Sequence, residues 1–307
     1  MGMLEVSVII CTNNPKFEIL KRTVEAIIQQ TLPQEKWELL IVDNNSNTSV
    51  KDLPGFNWPT SVTHLDEAKV GLISARIKGI KEAKADLLVF VDDDNYLKAD
   101  YLEILIKTMH SMPLLGVLGA GKIVPAFEKP PSNEELPFLR SLAIRNEVRA
   151  HFSNAVGYHK AIPFGAGLCI RRSIALNYME SLRTRPLAAS LDRKGDTLLS
   201  GGDIDLALHS CRDGYLSGVL PELELVHFIP KSRLDQKYLI KIAAGHAASN
   251  FLLSQLWNFE GYPENPLMRW ARYWKNRLKS NGLSRKILIA EYYADKKARN
   301  LWNLNNN

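Results

Sequence analysis

The stretch Leu87-Leu88-Val89-Phe90-Val91-Asp92-Asp93-Asp94-Asn95 runs five apolar residues directly into three carboxylates. A continuous apolar run bounded by polar residues reads as a strand buried on both faces, the kind that parallel sheets use. Two earlier runs read the same way. Val6 to Cys11 (VSVIIC) is closed by Thr12-Asn13-Asn14-Pro15, and Leu39-Leu40-Ile41-Val42 is closed by Asp43-Asn44-Asn45-Ser46. Between them Ile19, Leu20, Val24, Ile27 and Ile28 repeat at helical spacing, and Ser74 to Ala83 also reads as a helix. Asn13 or Asn14 is placed to cap the first helix, with Pro15 in its first turn. Alternating strands and helices predict a parallel sheet covered by helices, with ligands bound beyond the carboxyl ends of its strands. Asp43 and the cluster Asp92 to Asp94 both stand at such ends.

Three adjacent aspartates oppose one another's ionisation unless a cation sits among them. Their hard oxygens suit Mg²⁺ or Mn²⁺, which hold a few carboxylates and complete their shell with water and substrate phosphates. On extended backbone Asp92 and Asp94 share one side and Asp93 takes the other. The plainer reading of the cluster is a solvated acidic turn. Asp43 has a plain reading as well, an Asx turn leaving the sheet. In Gly201-Gly202-Asp203-Ile204-Asp205-Leu206 a glycine hinge precedes a carboxylate that opens an apolar-striped helix. Asp203 is there either an N-cap or a general base on a rigid element. His227 closes the segment Glu222-Leu223-Glu224-Leu225-Val226 and is either structural or part of the site. The other histidines show no metal-ligand spacing.

The chain of 307 residues is 46% hydrophobic and 23% charged, which excludes wholesale disorder and permits a full core. A net charge of +6 suits an anionic ligand or membrane surface, and nucleic-acid binding is not expected from so mild an excess. Cys11, Cys169 and Cys211 lie far apart with no CxxC pair, which argues against a disulfide framework and for a reducing compartment. Met1-Gly2-Met3-Leu4-Glu5 has no basic region of a signal peptide, and Val6 stands where myristoylation needs Ser or Thr. A cytoplasmic protein is expected, peripheral on the inner face of a membrane if its acceptor is there. Gly116 to Ile123 approaches a phosphate-binding P-loop, but Ile123 replaces the required hydroxyl and Pro125 blocks the helix. No GxGxxG follows the first strand and no GxSxG occurs.

Pro125 to Lys160 shows weak periodicity and reads either as a lid or acceptor loop or as a surface excursion. Regular structure resumes at Gly165-Ala166-Gly167-Leu168-Cys169-Ile170, followed by a helix from about Asp203 and apolar strands near Val219 and Leu225. From about Asp235 the pattern is helical. Between Arg269 and Arg299 it interleaves Arg272, Lys275, Arg277, Lys279, Arg285, Lys286, Lys296 and Lys297 with Trp270, Tyr273, Trp274, Tyr292 and Tyr293. Such helices either pack their aromatics as a cap or lie on an anionic membrane.

VSVIICTNNP, LLIVDNNS, GLISARIKGIKEA, LLVFVDDDN, then GAGLCIRR and GGDIDLALHSCRDGY, in that order, resemble the family 2 glycosyltransferases of the GT-A fold over roughly residues 4 to 230. The resemblance implies an α/β fold with a Rossmann-like mixed sheet flanked by helices. It sets a catalytic domain at 1–230 and leaves a helical extension at 231–307. It implies a nucleoside-diphosphate sugar donor, UDP-sugar favoured, a glycan or lipid-linked acceptor, and a divalent cation (Mn²⁺ or Mg²⁺). Thr12, Asn14, Asp43, Arg76, Asp92 and Asp93 would meet the nucleotide. Asp94 and His227 would hold the metal, and Asp203 would be the base of an inverting transfer. Two positions depart from the family pattern: Gly202 stands where an acidic residue usually precedes the base, and Asn95 ends the acidic stretch. Asp205 is a second carboxylate for the base role, although residues two apart on a helix diverge. The rival readings are a haloacid-dehalogenase-type phosphohydrolase, which wants its aspartates on the first strand, and a nucleotide-sugar-binding scaffold without turnover.

Overall fold

In the computed structural model the described residues are 4–53, 58–59, 61–193, 198–259 and 265–306. Met1-Gly2-Met3, on which part of the leader argument rests, lies outside them. The strands are β1 Val6–Thr12, β2 Trp37–Asp43, β3 Val62–Asp66, β4 Leu87–Asp92, β5 Asn95–Leu97, β6 Leu115–Phe127, β7 Arg145–Asn146, β8 His151–Ser153, β9 Leu168–Arg171 and β10 Leu216–Ile229. The helices are α1 Phe17–Ile28, α2 Leu72–Glu82, α3 Tyr101–Ser111, α4 Arg172–Ser181, α5 Gly202–Arg212, α6 Gln236–Leu256, α7 Pro266–Lys279 and α8 Gly282–Asn306.

One sheet holds the strands in the order β3-β2-β1-β4-β9-β6-β10-β5, with β7 beside β6 and β8 beside β10. The first four strands are parallel, as the apolar runs of β1, β2 and β4 predict, while the mixed segment Val62–Asp66 of β3 carries no such run. Val8, Ile9, Ile10, Leu39, Ile41, Leu88 and Val89 have no exposed surface, and each such side chain contributes about 1.5–3 kcal/mol. From β9 onward the sheet is mixed, since β9 runs antiparallel to both β4 and β6. The parallel sheet expected from the first strands alone therefore covers only part of the architecture, and the mixed sheet implied by the resemblance is the one observed. The two strands expected near Val219 and Leu225 are one, β10. The glycines of the P-loop-like stretch lie inside β6, where a side chain at Gly121 would meet the backbone of Leu220 and Pro221 at 2.6–2.7 Å.

The chain divides into two units. The first comprises Met1–Ala126, Ala143–Arg185 and Asp203–Ile229; the second comprises Phe127–Leu142, Pro186–Gly202 and Pro230–Asn307. The sequence suggests a single cut near residue 230, whereas the second unit also draws in two earlier segments. Inside it α6 and α8 pack on each other, and α8 supports α7.

Within the first unit Tyr101, fully buried on α3, donates a hydrogen bond to the Gly167 carbonyl at 2.8 Å, just ahead of β9. Burial pushes the pKa of its phenol far above the ordinary value, so it stays a donor at every working pH. Tyr101→Phe leaves that carbonyl unsatisfied and is expected to cost about 1–3 kcal/mol in urea unfolding.

Candidate active site

The parallel register puts three strand ends level. Thr12 of β1 lies opposite Asp43 of β2, and Cys11 lies opposite Asp92 of β4. Because β9 is antiparallel to β4, with Leu168 opposite Phe90, the chain before β9 arrives at this same carboxyl edge. Antiparallel pairing of β5 with β10 sets His227 opposite Asn95. Five separate parts of the sequence thus converge on one rim.

The backbone turns at Asp93-Asp94, between β4 and β5, so simple alternation does not govern the cluster. The Thr12 hydroxyl donates to Asp93 Oδ2, and Thr23 of α1 donates to the Asp93 carbonyl at 2.9 Å. Asp94, 6% exposed, accepts from the Asn95 side chain at 3.0 Å, and its Oδ1 lies 3.6 Å from His227 Nε2. The Asp94 carbonyl accepts from the Phe228 amide at 2.9 Å, which locks the two strands together beneath that pair. The turn therefore sends Asp93 toward β1 and Asp94 toward β10.

Asp43 makes the turn its plainer reading expects, while Asn13 and Asn14 do different work from what the local pattern suggests. Both Asp43 carboxylate oxygens accept backbone amides of the following loop, from Ser46 and Val50, each at 2.9 Å. This is the Asx-type turn, and it leaves further lone pairs on a carboxylate that is 8% exposed. Asn13 and Asn14 do not cap α1, whose N-cap is Lys16 without a side-chain bond. They tie the first loop to the second instead: Asn13 donates to the carbonyls of Asn44 and Asn45, and Asn14 Oδ1 accepts from the Asn47 amide at 2.8 Å. Asn14 and Asn45 reach this with φ of +49° and +63°, a region asparagine tolerates. Asn44, which sequence reasoning passed over, donates to the carbonyls of Glu67 and Lys69 and accepts from the Gly71 amide, so it anchors the start of α2.

That helix carries Arg76, 9% exposed, with its guanidinium carbon 5.5 Å from the Phe90 ring centre. Gly165 joins it to Asp203. The Gly165 amide donates to Asp203 Oδ2 at 2.8 Å, while a Cβ at Gly165 would stand 2.8 Å from Arg76 Nη2. A side chain at position 165 would push the Arg76 guanidinium away from its present place. Asp203 Oδ1 accepts from the Ile204 amide at 2.9 Å, so the carboxylate is held by two backbone donors at the start of α5. Arg145 is a second residue the sequence did not reveal. It donates to the Ile162 carbonyl at 3.0 Å and stacks its guanidinium 3.9 Å from the Phe164 ring centre. Burial lowers its pKa, against the opposing pull of Glu147 and Asp203. A lone arginine inside an irregular stretch carries no signal that could have found it.

Asp205 is fully buried and pairs with Arg185, Oδ1 to Nη2, at 2.6 Å. It therefore braces the first turn of α5, enclosed with Arg185 and away from solvent. Gly202, the departure from the family pattern, sits against the carboxylate of Asp192, which a side chain at position 202 would strike.

No group of three or more His, Cys, Asp or Glu side chains forms a metal cage among the described residues. The Asp94–His227 pair fits a different kind of ion, a hard cation that takes one or two protein ligands and shares the rest of its shell with substrate phosphates.

Residues 7–169 match the sequence model of "Glycosyl transferase family 2". The chain is 30% identical over 125 residues to "Glucosyl-dolichyl phosphate glucuronosyltransferase" of Haloferax volcanii, covering 40% of this chain and 39% of that one. It is 32% identical over 138 residues to "Poly(ribitol-phosphate) beta-N-acetylglucosaminyltransferase TarP" of Staphylococcus aureus, covering 41% and 42%. The match thus spans about two fifths of the length of these relatives. A crystal structure of S. aureus TarS residues 1–349 aligns with a TM-score of 0.48 at 12% identity, over 97% of this chain and 92% of that one.

Removing one partner of a buried ion pair strands the other charge. Arg185→Met is expected to cost about 3–5 kcal/mol in urea unfolding at neutral pH. Adding Asp205→Asn to that variant should recover part of the loss, and a single variant as stable as the wild type would show that the pair does not brace α5.

Proposed function

The chain belongs to glycosyl transferase family 2, and we propose that it moves a sugar, with inversion, from a nucleoside-diphosphate sugar to an acceptor hydroxyl. The observation that carries this reading is the division of labour at the carboxyl rim. Asp94 and His227 make one small polar pair, and Asp203 makes a separate carboxylate at the head of α5, beside the Arg76 guanidinium.

In this reading Asp203 takes the proton of the acceptor hydroxyl as its oxygen attacks the anomeric carbon from the face opposite the diphosphate. The bond from that carbon to the diphosphate oxygen breaks in the same displacement, so the anomeric centre inverts. The two backbone amides on Asp203 keep its carboxylate aimed. Asp94 and His227 would hold Mn²⁺ or Mg²⁺, which when bound stabilises the charge on the departing diphosphate. Arg76 adds a fixed cation for the same charge. Thr12, Asn14, Asp43, Asp92 and Asp93 form the nucleotide side of the rim, with Asp92 nearest the ribose. Asp43 contributes through the loop it shapes as much as through its own oxygens.

The favoured donor is a UDP-sugar. The printed names of the two relatives concern sugar transfer onto a dolichyl-phosphate-linked glucose and onto a poly(ribitol-phosphate). Those names support a glycan or lipid-linked acceptor here, in the synthesis of a surface polysaccharide or glycoconjugate, with the enzyme peripheral at a membrane where the acceptor is lipid-linked.

UDP, GDP, TDP and CMP, each with Mn²⁺ and with EDTA, test the donor site by thermal shift, because a ligand of the folded state raises Tm. One nucleoside diphosphate is expected to raise Tm only with the metal, and Asp94→Ala is expected to abolish that shift. Asp203→Asn is expected to keep the shift and lose transfer by about 10²–10⁴-fold. Transfer by Asp203→Asn at the wild-type rate would remove Asp203 as the base.

A further inference from the structure

Within the second unit, α7 presents an apolar stripe that is exposed among the described residues. Leu267, Trp270, Trp274 and Leu278 recur at the spacing of a single helix face and are 74%, 55%, 40% and 80% exposed, and neighbouring Met268 is 67% exposed. The helix is held from another side. Tyr273, 6% exposed, stacks on Tyr292 of α8 with ring centres 4.0 Å apart, and Arg269 pairs with Asp295 of α8 at 3.1 Å. The stripe is therefore not the face that folding uses.

The charge on α7 narrows the partner. The segment Pro266–Lys279 carries Arg269, Arg272, Lys275, Arg277 and Lys279 and no acidic residue. Arg272, Lys275 and Lys279 are exposed, with Lys275 and Lys279 beside the stripe and Arg272 farther round the helix. A second copy docking face to face would bring two such sets of cations together, which disfavours self-association. An anionic lipid surface satisfies both features at once. Leucine and tryptophan enter the headgroup boundary, and lysine stems extend outward to put their charge at the phosphates. No described helix is long and apolar enough to cross a membrane, so the contact is interfacial.

We propose that α7 is a docking helix for membranes rich in anionic phospholipid, with the Leu267–Trp270–Trp274–Leu278 stripe as the inserted face. This names the lipid and the surface behind the reading of a lipid-linked acceptor, but the docking itself needs neither donor nor acceptor.

The full chain should co-sediment with vesicles of phosphatidylglycerol and phosphatidylcholine and not with phosphatidylcholine alone, and tryptophan emission should shift to the blue on binding. Added salt should weaken the binding. Trp270→Ser with Leu278→Ser, both on exposed positions, should weaken it by more than about tenfold. Lys275→Gln with Lys279→Gln should weaken it by about 25-fold, at roughly fivefold for each cation near an anionic surface. Both double variants should keep the wild-type Tm and the metal-dependent nucleotide shift, so a failure of docking is separable from a failure of the transferase reading. Equal binding to neutral and anionic vesicles, or unchanged binding in both double variants, would overturn the proposal. So would a concentration-dependent dimer that the stripe variant abolishes while vesicles are ignored.

Discussion

The parallel registration of β1, β2 and β4 is the constraint on which the site depends. Each strand is apolar on both faces, so each has to lie inside the sheet and cannot slip without exposing its core side chains. Levelling the strands also levels their ends, which brings Thr12, Asp43 and Asp92 to one edge. The polar residues that stop each strand are then the residues of the rim. The same residues terminate the elements and build the candidate site.

The rest of the site comes from strands that run the other way. β9 reaches β4 from the opposite direction, so Gly165 is delivered to the rim by the segment that precedes the strand. β10 does the same for His227 through its pairing with β5. Gly165 then serves as a narrow coupling point, where one backbone amide meets Asp203 and leaves space for Arg76. Arg76 stands close by on the other side of the Gly165 position, and Arg145 is near enough to feel the charge of Asp203.

Much of this was legible in the sequence because burial on both faces leaves an unmistakable run of apolar residues. The first, second and fourth strands, the helix carrying Arg76 and the helix opened by Asp203 all follow from such patterns. Less legible were the short strands β5, β7 and β8, of two or three residues each, whose existence depends on a neighbour and not on their own composition. Asn13 and Asn14 read as helix caps because capping is a local rule, yet the nearby loop at 44–47 offered them better partners. Asp205 could not be separated from Asp203 by type or spacing, and burial against Arg185 distinguishes them.

The sequence by itself determined three of the four parallel strands, the positions of their acidic ends and the family resemblance. Each of these depends on residues close together in the chain. Only the tertiary structure decided which partners each carboxylate has. It placed Asp93 against Thr12 and Asp94 against His227, engaged Asp43 with its own loop, and enclosed Asp205 with Arg185. It also showed that the aromatics of α7 divide, Tyr273 facing inward and the tryptophans outward. The physical reason is common to all these cases. A side chain's role is set by the charges, donors and solvent around it, and those come from residues far away in sequence.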